Sequence, residues 1–221
     1  MGEREAVFLG RVTAGFTHEL KNVLAIIKES TGLMEDLLSM TPEGSFPHRE
    51  RFNRALSTVL EQVGRGVELS TRLNRLAHTP DVALGSVELD EACRQMVLLC
   101  ERFARLKGVT LKALPPVEGQ STAVTSPLQF HLAMFYALEA LWSQLTQGGE
   151  VTLQVKTSGN EVLVEMTCSG TEEGSEMFAG RVTTCEPWCL SGAVMEILGG
   201  RLICGPAQYG FTLALPVESS A

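Results

Sequence analysis

Leu9-Gly10-Arg11-Val12-Thr13-Ala14-Gly15-Phe16-Thr17-His18-Glu19-Leu20-Lys21-Asn22-Val23 is the stretch on which the fold turns. Its apolar residues recur at helical rather than alternating spacing, and the pattern runs on well beyond it. Leu9, Phe16, Val23 and Leu37 share one heptad position; Val12, Ile26, Leu33 and Met40 share another. Leu20, Ile27 and Met34 widen the stripe, as in a helix buried in a bundle rather than a two-stranded coil. The segment Thr41-Pro42-Glu43-Gly44-Ser45-Phe46-Pro47 breaks the helix with prolines and a glycine. The pattern resumes at Phe52, Leu56, Val59, Val63, Leu73 and Ala77 and stops near Thr79-Pro80. Residues 1–79 thus read as a helical hairpin with an apolar face left over. Pairing two hairpins about a two-fold axis covers that face, so a homodimeric four-helix bundle is expected.

Beyond a short linker (80–86) the pattern changes to mixed helix and strand, and 86–218 reads as a second domain. Short strands are expected at 87–89, 109–113 and 122–125, with helices over 90–106 and 127–145. Two alternating strands follow at 151–157 and 161–167, then a polar loop over 168–186. A helix near 190–198 ends at Gly199-Gly200, and strands at 201–204 and 211–216 close the domain. The expected class is α+β: the hairpin, then an α/β sandwich with helices on one face of one sheet.

Composition narrows the function. A net charge of −8 argues against electrostatic capture of nucleic acid or of an anionic membrane. No apolar run approaches the roughly 20 residues that span a bilayer, and no signal peptide opens the chain, so a cytoplasmic location is expected. The six cysteines then read as reduced thiols. Cys185 and Cys189 lack the second ligand pair that zinc requires, so no metal is expected.

His18 carries the chemistry. At about 100° per residue it lies roughly opposite Phe16, on the outer face of the bundle. Its helical neighbours are Arg11, Ala14, Gly15, Lys21, Asn22 and Ala25, a small polar patch that leaves room for another protein. A neutral, accessible imidazole nitrogen is a nucleophile. Glu19 is placed to hydrogen-bond one ring nitrogen and leave the other free, and Asn22 to orient a water or a phosphoryl group. A bland reading stands beside this one, because a surface histidine on a helix usually does nothing and nearby charges are usually just solvated.

The helix carrying His18-Glu19-Leu20-Lys21-Asn22 resembles the H-box helix of the dimerisation and histidine-phosphotransfer domain of two-component sensor kinases. The rest of the chain, including Met195-Glu196-Ile197-Leu198-Gly199-Gly200-Arg201, resembles that family's Bergerat-like ATP-binding domain. The resemblance implies that His18 is phosphorylated, that Glu19 assists proton transfer and that Asn22 supports dephosphorylation of a response regulator. Val23 stands where many members carry proline.

The ATP site of that family looks dismantled here. Its asparagine positions fall on Tyr136 and Leu132, and its adenine-recognising aspartate on Cys168 in Cys168-Ser169-Gly170-Thr171-Glu172. Its glycine-rich phosphate loop reads Glu186-Pro187-Trp188-Cys189-Leu190-Ser191-Gly192. Hydrogen bonds to charged groups are worth about 1.5–3 kcal/mol each, whereas millimolar binding totals only about −4.1 kcal/mol. Losing all three contacts should leave no useful affinity for ATP. The expected function is histidine phosphotransfer between response-regulator receiver domains without a bound cofactor, the receiver supplying magnesium. The alternatives are an ATP-dependent histidine kinase with a divergent site and a non-catalytic adaptor that sequesters a response regulator.

Overall fold

The computed structural model describes residues 2–40, 48–117, 121–171, 174–205 and 209–217. Helices α1 (Glu3–Ser39) and α2 (Arg49–Ala77) form the expected hairpin. They run antiparallel: Glu19 meets Arg65 near one end, and Ser30 and Leu33 line a cleft with Arg51, Ala55 and Thr58 near the other. The proposed break at Thr41–Pro47 lies outside the described residues. Helix α2 gives way to a 3-10 turn (Thr79–Asp81) with Pro80 in its first turn, where a missing N–H costs nothing.

The second part contains β1 (Gly85–Glu88), α3 (Leu89–Leu106), β2 (Thr110–Ala113), β3 (Thr122–Thr125), α4 (Pro127–Gln144), β4 (Glu150–Ser158), β5 (Glu161–Ser169), α5 (Ser175–Thr184), α6 (Glu186–Ile197), β6 (Arg201–Gly205) and β7 (Gly210–Pro216). Five strands form one sheet in the order β2-β4-β5-β7-β6, parallel at β2/β4 and antiparallel elsewhere. Strands β1 and β3 pair with each other in a separate two-stranded ribbon. Val151, Leu153 and Val155 alternate inward on β4, as do Val162, Val164 and Met166 on β5 and Phe211, Leu213 and Leu215 on β7. One face of the sheet is therefore apolar and covered by helices. The other carries ion pairs such as Lys112–Glu150 and Arg201–Glu161. The class is α+β, as expected.

The single sheet expected is corrected to two, since β1 and β3 pair only with each other, and two helices also differ from the expectation. The stretch read as a polar loop over 168–186 contains α5, whose Phe178, Ala179 and Val182 face the core. Only three of its ten residues face the core, and the fourth apolar residue, Met177, is exposed, so no clear helical stripe shows. Helix α6 also begins earlier than expected, at Glu186, with Pro187 in its first turn. Its end is as expected. Gly199 takes a left-handed φ of 70°, and the Gly200 N–H donates to the Met195 carbonyl over 2.9 Å.

Helix α4 is the centre of the molecule, apolar nearly all round and buried nearly throughout. The core does not stop at the hairpin. Phe8 and Val12 of α1 and Leu76 of α2 belong to the same buried cluster as Phe135, Leu138 and Trp142 of α4. The Phe8 and Phe135 rings lie 5.2 Å apart, and Phe103 of α3 meets Phe135 edge-on at 5.9 Å. The lower half of α1 is thereby pinned to α3 and α4, and His18 sits one turn above the pinned segment. No described helix is long and apolar enough to cross a membrane.

Candidate functional site

His18 is exposed on α1, as the heptad spacing predicts. Asn22, one turn on, places its Nδ2 3.5 Å from the His18 Nδ1. Gly15, one turn before, lies against α3 so closely that a Cβ there would stand 3.1 Å from the Phe103 ring. The absent side chain lets α3 approach, and α3 brings arginines to the histidine. The Arg102 Nη1 lies 2.7 Å from the His18 Nδ1.

Glu19 is buried, and its oxygens face guanidinium groups rather than the imidazole. The Arg105 Nη2 donates to Oε1 over 2.6 Å, and the Arg65 Nη2 to Oε2 over 3.4 Å. The Nη1 of Arg102 lies 3.8 Å from Oε1, so this side chain stands between the carboxylate and the ring. Arg65 is in turn 3.6 Å from Glu101. A carboxylate taken out of water must be paired, and three arginines from α2 and α3 do so here. The expectation that Glu19 hydrogen-bonds a ring nitrogen is therefore corrected. Its position on α1 points into the groove against α2 and α3, where stronger partners hold it.

The structure thus brings His18, Glu19 and Asn22 to one place and adds Arg65, Arg102 and Arg105, which the sequence reading missed. They come from 46 to 86 residues away, beyond the reach of local periodicity. A signal was present: Arg102 and Arg105 are three apart and so share one face of α3.

The other histidines lack such surroundings. His48 precedes α2, and His78 is bonded to Asp81 over 2.8 Å. His131 is buried in α4, where its Nδ1–H donates to the Pro127 carbonyl over 2.7 Å. Burial pushes its pKa below the ordinary histidine value despite that bond, and its Nε2 has no hydrogen-bond partner.

At the positions that the resemblance assigns to a nucleotide site, side chains fill the space. Tyr136 and Leu132 are buried in α4. The Cys168 thiol is pushed up to about 12 by burial, so it offers no anion to an adenine amino group. Trp188 is buried with its ring 5.2 Å from that of Phe211, and the Ser191 Oγ donates to the Ala133 carbonyl over 2.8 Å. Helix α6 consequently packs directly on α4. Glu172 lies outside the described residues. Neither Tyr136 nor Leu132 is a ligand type for magnesium, and buried indole fills the place of a phosphate loop, so these residues do not fit a magnesium nucleotide.

No protein-family model matches the chain. No curated protein matches it either. Among solved structures the chain is similar to the nucleotide-free catalytic domain of histidine kinase ThkA, at 14% identity and a TM-score of 0.47, covering 61% of this chain and 96% of that one. It is also similar to the Acinetobacter baumannii histidine kinase AdeS, at 10% identity and a TM-score of 0.49, covering 91% of this chain and 98% of that one. A third likeness is to histidine kinase ThkA in complex with response regulator protein TrrA, at 14% identity and a TM-score of 0.46, covering 97% of this chain and 64% of that one.

Proposed function

We propose that this chain works in two-component signalling as a homodimeric histidine phosphotransferase, with His18 taking a phosphoryl group from one receiver domain and passing it to another. The observation that carries the reading is the setting of His18, an exposed imidazole on a rigid helix with Asn22 at 3.5 Å. In the transfer, a ring nitrogen lone pair attacks the phosphorus of an aspartyl phosphate. The P–N bond forms as the P–O bond breaks, and its electron pair leaves on the aspartate. The reverse step discharges the group onto a second aspartate. Any magnesium the chemistry uses belongs to the receiver.

Two further features support the reading. The α4–α6 packing, with Trp188 and Cys168 buried, disfavours ATP as the phosphoryl source. Leu60, Val63 and Val67 on α2, with Leu24, Ile26 and Leu33 on α1, leave an exposed apolar surface that a second hairpin would cover.

The test is phosphoryl transfer from a panel of phosphorylated receiver domains. Label should pass to His18 alone, and His18→Gln should abolish transfer with little change in thermal stability, because an exposed side chain contributes little packing. Label on another histidine in the His18→Gln protein would refute the assignment. Dimers that bind a regulator but never take label would instead establish an adaptor.

A further inference from the structure

We infer that Arg102 is a positioning residue that sets the tautomer of His18 and holds it in a non-nucleophilic form while its guanidinium rests on the ring. The inference rests on reading His18 as a phosphoacceptor and concerns how that same site is controlled.

Arginine has only donors, and its guanidinium stays protonated at any pH a protein experiences. With the Arg102 Nη1 2.7 Å from the His18 Nδ1, that nitrogen must accept. The Asn22 Nδ2, 3.5 Å away on the same side, is a second donor directed at the same atom. A neutral ring that accepts at Nδ1 carries its proton on Nε2. Neither nitrogen then offers a free lone pair, since that of Nδ1 is covered by arginine and that of Nε2 is occupied by the proton.

Attack by Nε2 requires the proton to move to Nδ1, and Nδ1 cannot take it while Arg102 is there. The natural acceptor for an Nδ1–H is Glu19, the adjacent carboxylate. Its Oε1 is engaged by Arg105 at 2.6 Å, and Arg102 stands between it and the ring. The same helix that masks the imidazole therefore also withholds the proton acceptor. When the Arg102 and Arg105 guanidinium groups are drawn away, both effects end together. Nδ1 is freed to carry the proton, Glu19 can bond it, and Nε2 turns its lone pair outward. A phosphorylated receiver domain is a fitting trigger, because its anionic phosphoryl group competes for the Arg102 guanidinium.

The test uses the full chain and a donor that needs no protein partner. Phosphoramidate phosphorylates an accessible imidazole directly: a ring nitrogen forms the new P–N bond, and ammonia leaves with the electron pair of the old one. His78, exposed and bonded to Asp81 rather than to an arginine, serves as internal reference. In the wild type, nitrogen NMR of the His18 ring should show Nε2 protonated and Nδ1 accepting. Arg102→Ala should shift the ring towards the other tautomer and speed labelling of His18 relative to His78 by about tenfold or more, the scale of a lost hydrogen bond to a charged group. Arg102→Lys, which keeps a cationic donor, should stay close to wild type. Arg102→Met preserves the length of the side chain and should behave as Arg102→Ala does, a check on altered packing.

An unchanged tautomer together with an unchanged or slower His18 rate in both Arg102→Ala and Arg102→Met would overturn the inference. The receiver panel is a separate arm. If the NMR and phosphoramidate results are as expected but no receiver ever transfers label, the phosphotransfer reading fails while the control of the tautomer by Arg102 stands.

Discussion

Arg11 of α1 forks onto Glu139 of α4, with Nη1 2.9 Å from Oε2 and Nη2 2.5 Å from Oε1, while its guanidinium carbon lies 4.7 Å from the centre of the Phe135 ring. The pair bolts the helix that carries His18 to the central helix of the second domain. Hydrogen bonding to Glu139 raises the Arg11 pKa, so the cation persists through any working range.

Arg11→Met should weaken this junction. The arginine is partly solvated, which reduces the Coulombic gain, but Glu139 is left half-buried without its fork, at a cost of about 1 kcal/mol. Thermal melts should fall by about 2–4 °C for a chain of this size. A double-mutant cycle with Glu139→Gln should recover most of the loss; strict additivity would show that the fork contributes nothing.

Gly15→Ala tests the approach of α3 to α1. In a free helix the substitution is worth about 1 kcal/mol of stabilisation. Here the added methyl would stand 3.1 Å from the Phe103 ring, so the aromatic must give way. The expected outcome is a lower melting temperature, with faster phosphoramidate labelling of His18 as Arg102 is pushed back. A higher melting temperature would show that Phe103 yields freely.

Acid should destabilise the fold through His131. Its folded pKa is depressed by burial, so its contribution to stability is fully present above the unfolded value of about 6.5 and is lost as pH falls below it. Between the unfolded and folded pKa the slope is about 1.4 kcal/mol per pH unit. In denaturant titrations from pH 7.5 to about pH 5, the wild type should lose stability relative to His131→Leu as pH falls. Parallel curves would remove His131 as the source.

The exposed apolar stripe on α2 should hold the dimer together. Sedimentation at micromolar concentration should give a dimer for the wild type and a folded monomer for Val63→Glu combined with Val67→Glu. These side chains are 47% and 61% exposed in a single chain, so charges there spare the core. A wild-type monomer would refute the pairing.

Calorimetry with magnesium ATP should show no saturable heat up to millimolar concentration, that is, binding weaker than about −4.1 kcal/mol. Saturable binding accompanied by labelling of His18 would favour the divergent-kinase alternative.

Much of this was legible in the sequence because the decisive patterns are local. Heptad spacing placed the hairpin and put His18 outside, and alternation placed the inward faces of β4 and β5. What was not legible depends on residues distant in the chain. Glu19 reads as a proton acceptor for its neighbour until α2 and α3 are folded against it, and only then do Arg65, Arg105 and Arg102 claim its oxygens. Helix α5 was missed for the opposite reason. Its own residues barely announce a helix, and the contacts of Phe178 with Tyr209 and Phe211 hold it in place.

The cluster shared by Phe8, Val12, Leu76, Phe135 and Trp142 bears on how the chain can be dissected. A cut near residue 80 looks natural from sequence, but it would strip the hairpin's share from the core and bare the Phe103, Phe135 and Trp142 rings to water. A fragment of the second part alone should be prone to aggregation, and the free hairpin should fray at the end that carries Phe8 and Leu76. Recombining the two pieces should restore solubility, because the cut severs the globule through its interior rather than at a seam.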